Sequence, residues 1–508
     1  MASEIKTGAI LNYISISLRL ATSFLFTPFL LSSLGVEEYG LYMLSGSVIA
    51  WLSLTDFGLG ATINKYVVTY RAKGESVQQA HFLGQCIMLF FVIALLTLVV
   101  GVVCYYKLHS IFPKLNPEHY STLQILYLLT LANFILAIPL RPLAEIPGAY
   151  QKFIIPSIVN MVASLLTVAL MVLLLFLGFK SIGLTVLSVG LGLLNILWLL
   201  FYTFCCLKVK IVFRKPDMTL YKDMFGFSVW IFLNQIMDLF YWQAGTPILA
   251  NISGVAAVAV FTVGISFSRY FMTASTAISG VLAPKLMHMV ALGAKREDLT
   301  WVMIKAGRLQ LSIMILMLCG FISFGCDFLH LWVGDTLGDS ITTIWLGALL
   351  VVVPLIVPLT QNVGIAILQA LSIHRGRAII LFYSSIICVV LGSILSFYWG
   401  PIGMFLGTGI SLWAGQIVMM NIYYARKAGL NIRLFFAKTY QPFLLPGIVL
   451  VLLGGLMQSS LSISTWGDFI LIAGSYAVCA VILIWVMYLN AEEKRMFIQP
   501  IKKILKYE

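Results

Sequence analysis

The feature that most constrains this 508-residue chain is its series of long apolar segments. A helix that crosses the hydrocarbon core of a bilayer needs about 20 predominantly apolar residues. Fourteen runs meet that requirement, at residues 8–31, 40–63, 81–106, 120–143, 153–178, 183–207, 224–250, 255–283, 303–332, 341–370, 378–398, 402–425, 443–459 and 467–489. We therefore predict an all-α integral membrane protein with about 14 transmembrane helices.

The overall composition excludes the main classes of soluble protein. Hydrophobic residues make up 61% of the chain and charged residues only 10%, whereas soluble domains carry about 25% charged residues. The eight cysteines show no Cys-x-x-Cys or Cys/His spacing of a metal site, and we expect them to pack as small hydrophobic side chains. We predict no metal, no cofactor and no nucleic-acid partner.

The distribution of Lys and Arg predicts the orientation in the membrane. With the N-terminus in the cytoplasm, 27 of the 32 basic residues lie on the cytoplasmic side, and the opposite side holds only Lys107, Lys114 and Lys180. This asymmetry follows the positive-inside rule, and it also explains the net charge of +13. We expect a multi-pass protein with both termini in the cytoplasm, and we expect its first apolar run to be retained rather than cleaved as a signal peptide.

An internal repeat divides the chain. Shifting the sequence by 219 residues places segment 27–36 on segment 246–255, and both read Thr-Pro-x-Leu-(x4)-Gly-Val. The same shift places Pro139-Leu140 on Pro358-Leu359. Because each copy contains six spans, both copies keep the same orientation, as in parallel repeats related by an axis along the membrane normal.

The repeat predicts the domain organisation. We expect two six-helix lobes related by a pseudo-two-fold axis along the membrane normal, an N-terminal lobe at 1–215 and a C-terminal lobe at 216–438. Two extra helices occupy 439–490. The basic tail at 491–508 is either an interfacial helix or a solvated segment.

Four charged side chains, Arg19, Asp56, Asp238 and Arg269, lie well inside predicted spans. Each costs about 2.5–3.5 kcal/mol at the centre of an inserted helix, so each must face water, a partner or a ligand. Polar neighbours at helical spacing extend the charges into stripes on spans 1, 2, 7 and 8. These stripes either wall a hydrated central cleft or form buried ion pairs and hydrogen bonds between helices.

The first interpretation assigns roles to individual residues. Arginine matches phosphate oxygens bidentately, so we assign binding of a phosphate-bearing substrate to Arg19 and Arg269, with Asn12, Asn234, Tyr241 and Ser266 beside them. Asp56 and Asp238 are candidates for binding a coupling proton or sodium ion. Pro28 and Pro247 remove helical hydrogen bonds at equivalent points of the repeat and are candidate hinges, or else static kinks.

Two segments connect the chain with a known family. Leu34-Gly-Val-Glu-Glu-Tyr-Gly-Leu-Tyr42 and Trp51-Leu-Ser-Leu-Thr-Asp-Phe-Gly-Leu-Gly60 resemble the polysaccharide transporters of the multidrug/oligosaccharidyl-lipid/polysaccharide exporter superfamily, above all the Wzx-type O-antigen flippases. The resemblance implies a flippase that is not an enzyme. It would move a lipid-linked oligosaccharide, carried on undecaprenyl diphosphate, across the bacterial inner membrane by alternating access, for lipopolysaccharide or other polysaccharide biosynthesis.

The resemblance also implies partners and an energy source. The partners would be the lipid-linked substrate, membrane lipids, and a polysaccharide polymerase with its chain-length machinery. The sequence contains no G-x-x-x-x-G-K-[ST] phosphate-binding loop. A proton or sodium gradient, used by an antiporter, is therefore the simplest expected energy source.

Three alternatives remain open from the sequence. A cation-coupled drug exporter and a lipid II flippase belong to the same superfamily. A membrane-embedded polymerase or glycosyltransferase would need external acidic residues, for which Glu37-Glu38 is the paired candidate. The repeat places Ala256-Ala257 at the equivalent positions, so the shared fold does not require these acids.

Overall fold

The fold is described from a computed structural model. It covers residues 2–113, 115–152, 154–371 and 373–495, with the side chains of 2–13, 61, 227, 230, 277–285, 287–288, 291 and 374 left aside. Helices account for nearly all of these ranges, and they contain no β-strand. The all-α fold class predicted from the apolar runs is confirmed.

The chain forms two compact units. Unit 1 comprises Met1–Thr262 and Ser396–Pro401, and unit 2 comprises Val263–Leu395 and Ile402–Glu508. The predicted lobe boundary near residue 215 lies inside unit 1, which includes the seventh predicted span, and the division into two six-helix lobes stays a prediction.

The helices of the first part of the chain are α1 (Ala2–Leu34), α2 (Val36–Leu52), α3 (Leu59–Ala72), α4 (Ser76–Ile111), α5 (Pro117–Ala137), α6 (Arg141–Ala144), α7 (Ile146–Ala149), α8 (Ile154–Phe176), α9 (Ser181–Phe201), α10 (Met218–Trp242) and α11 (Gly245–Ile252). Short 3₁₀ segments occupy Ser53–Asp56 and Ile138–Leu140, and a π-helical turn follows α9 at Tyr202–Cys206.

The remaining helices are α12 (Val255–Ala291), α13 (Arg296–Leu337), α14 (Ile341–Thr360), α15 (Asn362–Ala370), α16 (His374–Trp399), α17 (Pro401–Ser411), α18 (Met420–Arg426), α19 (Ile432–Thr439), α20 (Leu444–Ser460) and α21 (Trp466–Leu483). π-Helical turns occupy Leu412–Met419 and Ile484–Tyr488, and 3₁₀ segments occupy Gly338–Ser340 and Gln441–Phe443.

The helices account for the predicted spans. In the described part of the chain, eleven helical segments are long and apolar enough to cross a membrane, or up to twelve if the pair Met218–Gly226 and Ile231–Trp242, bent by 49°, counts as one span. One of the eleven, Arg296–Thr360, contains both α13 and α14. Each of the fourteen predicted runs coincides with one helix or with consecutive helices.

Helices α13 and α14 form an antiparallel hairpin. Gly334 lies against Ile341 beside the turn, Gly325 lies against Trp345, and Gly307 lies against the carbonyl of Thr360 at the far end. The indole N–H of Trp345 donates to the carbonyl of Phe321 at 2.9 Å. The segment therefore crosses the predicted membrane twice.

Each unit has its own apolar core. In unit 1, Leu59, Ile63, Phe82, Phe90 and Leu143 are buried in one cluster that joins α3, α4 and α6. In unit 2, the cluster includes Leu299, Ile367, Tyr424 and Phe435. Burial of such side chains contributes about 1.5–3 kcal/mol each, so these clusters fix the helices that carry the polar sites described below.

Helices α8 and α9 are mostly unburied within unit 1. Only 6% of the most apolar window of α8 and 11% of that of α9 are buried. Their exposed leucines and isoleucines form large apolar surfaces, which in a membrane protein are solvated by lipid. These helices therefore form a lipid-facing side of unit 1.

Two acidic residues in the first turn of α2 contact neighbouring parts of unit 1. Glu38 accepts hydrogen bonds from the backbone N–H and the hydroxyl of Ser181, at 3.0 and 2.8 Å, and lies 3.4 Å from the ammonium of Lys180. Glu37 lies 3.3 Å from His119. Glu38 thus caps the N-terminus of α9, and the acidic pair has a structural explanation.

A buried ion pair connects α13 to the last described residues of unit 2. Arg308 on α13 donates to Glu493 through Nε at 2.5 Å and Nη2 at 3.0 Å, and also to the carbonyls of Lys438 and Tyr488. Both side chains of the pair are almost fully buried. Residues 491–495 are helical, whereas the rest of the predicted interfacial tail lies outside the described residues.

Candidate functional site

The second predicted span is broken at residues 53–58. Helix α2 ends at Leu52, a 3₁₀ turn covers Ser53–Asp56, and α3 starts at Leu59. Phe57 and Gly58 adopt left-handed conformations, with φ of 51° and 69°. Broken helices free backbone N–H and C=O groups, and at membrane depth these must be satisfied by nearby protein groups.

Asp56 occupies the centre of this break. Its Oδ1 accepts the backbone N–H of Gly58 at 3.0 Å, which satisfies one of the freed donors. Its Oδ2 forms an ion pair with Nη1 of Arg141. Asp56 is 8% exposed, so the carboxylate is a buried acid with one backbone donor and one cationic partner.

The segment that carries Arg141 contacts the span again below the break. The amide of Asn64 donates to Glu145 at 3.5 Å, and a Cβ on Gly60 would lie 3.0 Å from the same carboxylate. Because Arg141 and Glu145 are four residues apart, they place opposite charges along one side of the short helices α6 and α7.

The break also packs against α10. A Cβ on Gly58 would lie 2.9 Å from Ile231, and the Phe57 ring lies 5.2 Å from that of Phe232. On α3, the hydroxyl of Thr62 forms a 2.9 Å hydrogen bond with that of Ser228. The charged break and the middle of α10 are therefore packed together within unit 1.

The equivalent place in unit 2 is neutral. The 219-residue shift relates Asp56 to Ser275, which lies in the uninterrupted helix α12. The Ser275 hydroxyl accepts hydrogen bonds from Gln310 at 3.1 Å and Asn362 at 2.7 Å, and donates to the carbonyl of Leu359 at 2.8 Å. Two amides and a hydroxyl stand where unit 1 has an acid and a base.

The Asp56–Arg141 pair is the charged contact at the break. Removing either partner of a buried ion pair leaves an uncompensated charge, which is strongly destabilising.

Comparison with known proteins gives the family. The profile of the family described as "Polysaccharide biosynthesis protein" matches residues 5–290, more than half of the chain and all of the region around the break. The chain belongs to this polysaccharide biosynthesis protein family. The family suggested by segments 34–42 and 51–60 is thereby confirmed.

One relative and two solved structures resemble this chain over most of its length. The "Uncharacterized membrane protein EpsK" of Bacillus subtilis (strain 168) is 22% identical over 483 residues, which cover 94% of each chain. The structure titled "Lipid II flippase MurJ, inward closed conformation" has a TM-score of 0.72 at 15% identity and covers 94% of this chain and 98% of that one. An inward-facing multidrug resistance MATE family transporter has a TM-score of 0.59 at 14% identity, covering 80% of this chain and 96% of its own.

The four predicted charged residues lie in different settings in the structure. Arg19 on α1 and Asp238 on α10 are exposed on unit 1, and Arg269 on α12 is exposed on unit 2. Of the four, only Asp56 is buried, and its partner is Arg141. The substrate-binding and ion-coupling assignments of all four residues stay predictions.

The predicted polar neighbours occupy helix surfaces around these charges. Asn234 is partly buried and Tyr241 is buried on α10, while the Ser266 hydroxyl donates to the carbonyl of Val263 at 2.7 Å within α12. Asn12 belongs to α1, but its side chain lies outside the described residues.

The two candidate hinge prolines occupy different positions in their helices. Pro28 lies inside the uninterrupted helix α1. Pro247 occupies the first turn of the separate helix α11, where a backbone N–H has no helical partner in any case. The expected interruption at Pro247 is therefore displaced to residues 243–244, between α10 and α11. The hinge role of both prolines stays a prediction.

The sequence does not identify Arg141 and Glu145 as neighbours of the break. Arg141 lies at the end of the fourth apolar run, at 120–143, where the positive-inside rule accounts for a cytoplasmic basic residue, and Glu145 follows just after that run. A signal was present in Pro139, Pro142 and Pro147, because three prolines in nine residues exclude a continuous helix and predict a compact turn able to return toward a neighbouring span.

Proposed function

We propose that the chain is a flippase that moves a lipid-linked oligosaccharide from the cytoplasmic to the outer leaflet of a bacterial inner membrane. The proposed cargo is an O-antigen or other polysaccharide repeat unit carried on undecaprenyl diphosphate. The observation that carries the proposal is whole-chain similarity to a flippase of a lipid-linked substrate, over 94% of this chain, together with membership of a polysaccharide biosynthesis family.

The same comparison favours a flippase over a drug exporter. The MATE transporter accounts for 80% of this chain, whereas the lipid II flippase accounts for 94%. The flippase structure therefore matches a part of this chain that the MATE structure does not cover. We propose that the protein moves its cargo without forming or breaking covalent bonds, and that a polymerase with its chain-length machinery receives that cargo.

Arg19 and Arg269 would attract the diphosphate of the cargo, since guanidinium groups pair with phosphate oxygens. Asn12, Asn234, Tyr241 and Ser266 would contact the sugar hydroxyls. Asp56 and Asp238 would bind the coupling proton or sodium ion. The support is strongest for Asp56, because it is a buried carboxylate at a helix break.

The decisive experiment is deletion of the gene in its native host. The lipid-linked glycan that accumulates is then located with a membrane-impermeant sugar-modifying reagent. We expect the glycan to remain on the cytoplasmic leaflet until the wild-type gene is restored. Accumulation of externalised but unpolymerised glycan would instead identify a polymerase.

Ion coupling is tested separately in proteoliposomes that carry an imposed proton or sodium gradient. We expect Asp56→Asn with Asp238→Asn to abolish the gradient-dependent part of transport, while gradient-independent exchange continues. Gradient-dependent transport at the wild-type rate in the double variant would exclude both aspartates from coupling.

A second candidate is flipping of lipid II, favoured by the 0.72 TM-score of the MurJ structure. Expression of this chain in a strain depleted of its lipid II flippase distinguishes the two cargoes. Growth rescue supports lipid II, whereas a failure to rescue with normal protein level supports a different lipid-linked glycan.

A further inference from the structure

Unit 1 contains a cavity beside the break, with charged and amide side chains in a largely apolar wall. Its volume is about 450 Å³, and it lies between the end of α5, the 138–149 segment, α8 and α9. Arg141 forms part of its wall, so the cation that pairs with Asp56 also faces this space. The cavity is distinct from the stripes of spans 1, 2, 7 and 8 to which substrate binding was assigned.

The cavity wall combines positive charge with amide groups. Arg141 and Lys152 are its charged members, and Asn133, Asn160 and Asn195 contribute amides from three different helices. Among the described residues that line it, none is acidic. Polar side chains on membrane helices are costly and are retained where they meet water or a ligand.

Arg141 has unused hydrogen-bonding capacity within the described residues. It pairs with Asp56 through Nη1, although a guanidinium carries five N–H donors in total. The cavity therefore offers donors for an anion.

The surroundings of the cavity are apolar and exposed. Leu136 on α5, Ile155 on α8, and Leu194 and Leu197 on α9 are 56%, 51%, 60% and 60% exposed. These side chains belong to the lipid-facing side of unit 1. A ligand reaching the cavity from this side must combine an anionic polar group with hydrocarbon chains.

We propose that this cavity binds the phosphate-bearing headgroup of a membrane lipid. Arg141 and Lys152 hold the phosphate, as bidentate and point-charge partners respectively. The asparagine amides hold hydroxyl groups next to it, and the lipid chains lie along the apolar surfaces of α8 and α9. This binding does not depend on the proposed transport function and can be measured without transport.

The test is equilibrium binding of acyl-chain-labelled phosphatidylglycerol to the purified full-length protein in detergent micelles. We expect saturable binding, and at least tenfold weaker binding after Arg141→Gln with Lys152→Gln. The matched control is Arg214→Gln with Lys215→Gln, which removes the same two charges from exposed positions between α9 and α10. We expect that control to bind like wild type.

A second variant guards against misfolding, because removing Arg141 leaves Asp56 without its partner. Lys152→Gln with Asn160→Ala and Asn195→Ala leaves that ion pair intact, and we expect at least fivefold weaker binding at an unchanged melting temperature. Wild-type affinity in both cavity variants, or equal weakening in the Arg214/Lys215 control, would overturn the proposal.

Competing probes identify the source of the phosphate. We expect unlabelled phosphatidylglycerol and undecaprenyl phosphate to displace the labelled lipid, because both carry an anionic phosphate on hydrocarbon chains. Zwitterionic phosphatidylcholine and millimolar inorganic phosphate should not displace it. Displacement by inorganic phosphate alone would show a site for a free anion and refute the lipid assignment.

Discussion

At the scale of single residues, Asp56 illustrates what the sequence can and cannot disclose. A carboxylate in an apolar run is visible as a candidate site because of its insertion cost. Its partner is 85 residues away in the chain, at the end of another span, where a basic residue is also expected from the positive-inside rule. Pairing across helices depends on packing, which no local pattern encodes.

The coupling between Asp56 and Arg141 is measurable by a double-mutant cycle. We expect Arg141→Met to lower the free energy of unfolding by about 2–3 kcal/mol, because it leaves a buried carboxylate without its cation. This is less than a fully buried pair would lose, since the Arg141 side chain is 35% exposed. Adding Asp56→Asn should recover part of the loss. Additive effects of the two substitutions, measured by unfolding in mixed micelles, would contradict the pairing.

Gly58 is a second residue whose role follows from the backbone. Its φ of 69° and its close approach to Ile231 and the backbone of Phe232 leave no room for a Cβ. We expect Gly58→Ala to destabilise the protein by about 2–4 kcal/mol, combining left-handed strain with overpacking. The control is Gly46→Ala on α2, which meets open space. Equal melting temperatures for both variants would argue against the break.

At the scale of elements, apolar runs predict that helices exist but not how they are divided. The run at 40–63 predicts one continuous helix. The polar stripe predicted on span 2 depends on that continuity, because it places Ser53, Asp56, Gly60 and Asn64 on one helical face. The structure has a 3₁₀ turn and two left-handed residues between α2 and α3, so these residues do not share one helical face. The motif Thr-Asp-Phe-Gly at 55–58 contains turn-forming residues. The apolar residues on both sides of the motif nevertheless favour one continuous helix when the sequence is taken alone.

The ion pair that connects α13 to Glu493 leads to a prediction at the scale of elements. Because Arg308 and Glu493 are buried and share two hydrogen bonds, we expect Arg308→Met or Glu493→Leu alone to cost about 3–5 kcal/mol. The double variant should cost less than either single one. Thermal unfolding of the four proteins measures this coupling.

The neighbouring pair provides an internal control. Lys305 and Glu492 lie 2.7 Å apart but are largely exposed, and the hydrogen bond from Lys305 lowers the pKa of Glu492 below its ordinary value. We expect Lys305→Gln to leave the melting temperature nearly unchanged, since exposed pairs contribute little. A loss as large as that of Arg308→Met would show that burial does not distinguish the two pairs.

At the scale of the whole molecule, the helical fold follows from hydropathy, and the repeat is visible as a constant shift. The difference between the repeats is less accessible. Asp56 and Ser275 are related by the shift, yet one lies in a charged break and the other in a continuous helix with neutral partners. A sequence comparison identifies the substitution, but only packing shows that Arg141 and Asn362 are the respective partners.

The orientation of the whole chain is a separate prediction. From the positive-inside rule, we expect alkaline phosphatase to be active when fused after residue 463, between α20 and α21. It should be inactive after residue 495 and after residue 428, whereas green fluorescent protein should fluoresce at those two positions. Alkaline phosphatase activity at 495 with none at 463 would reverse the predicted topology.

The second span is held separately on each side of its break. Its first half is tied to α9 through Glu38 and Ser181, and its second half begins beyond the Asp56–Arg141 pair. That second half, α3, is also held by the hydrogen bond between Thr62 and Ser228 and by the burial of Leu59 and Ile63 in the apolar cluster of unit 1. Loss of the Asp56–Arg141 pair would therefore weaken the break itself while leaving each half of the span attached to its own neighbours.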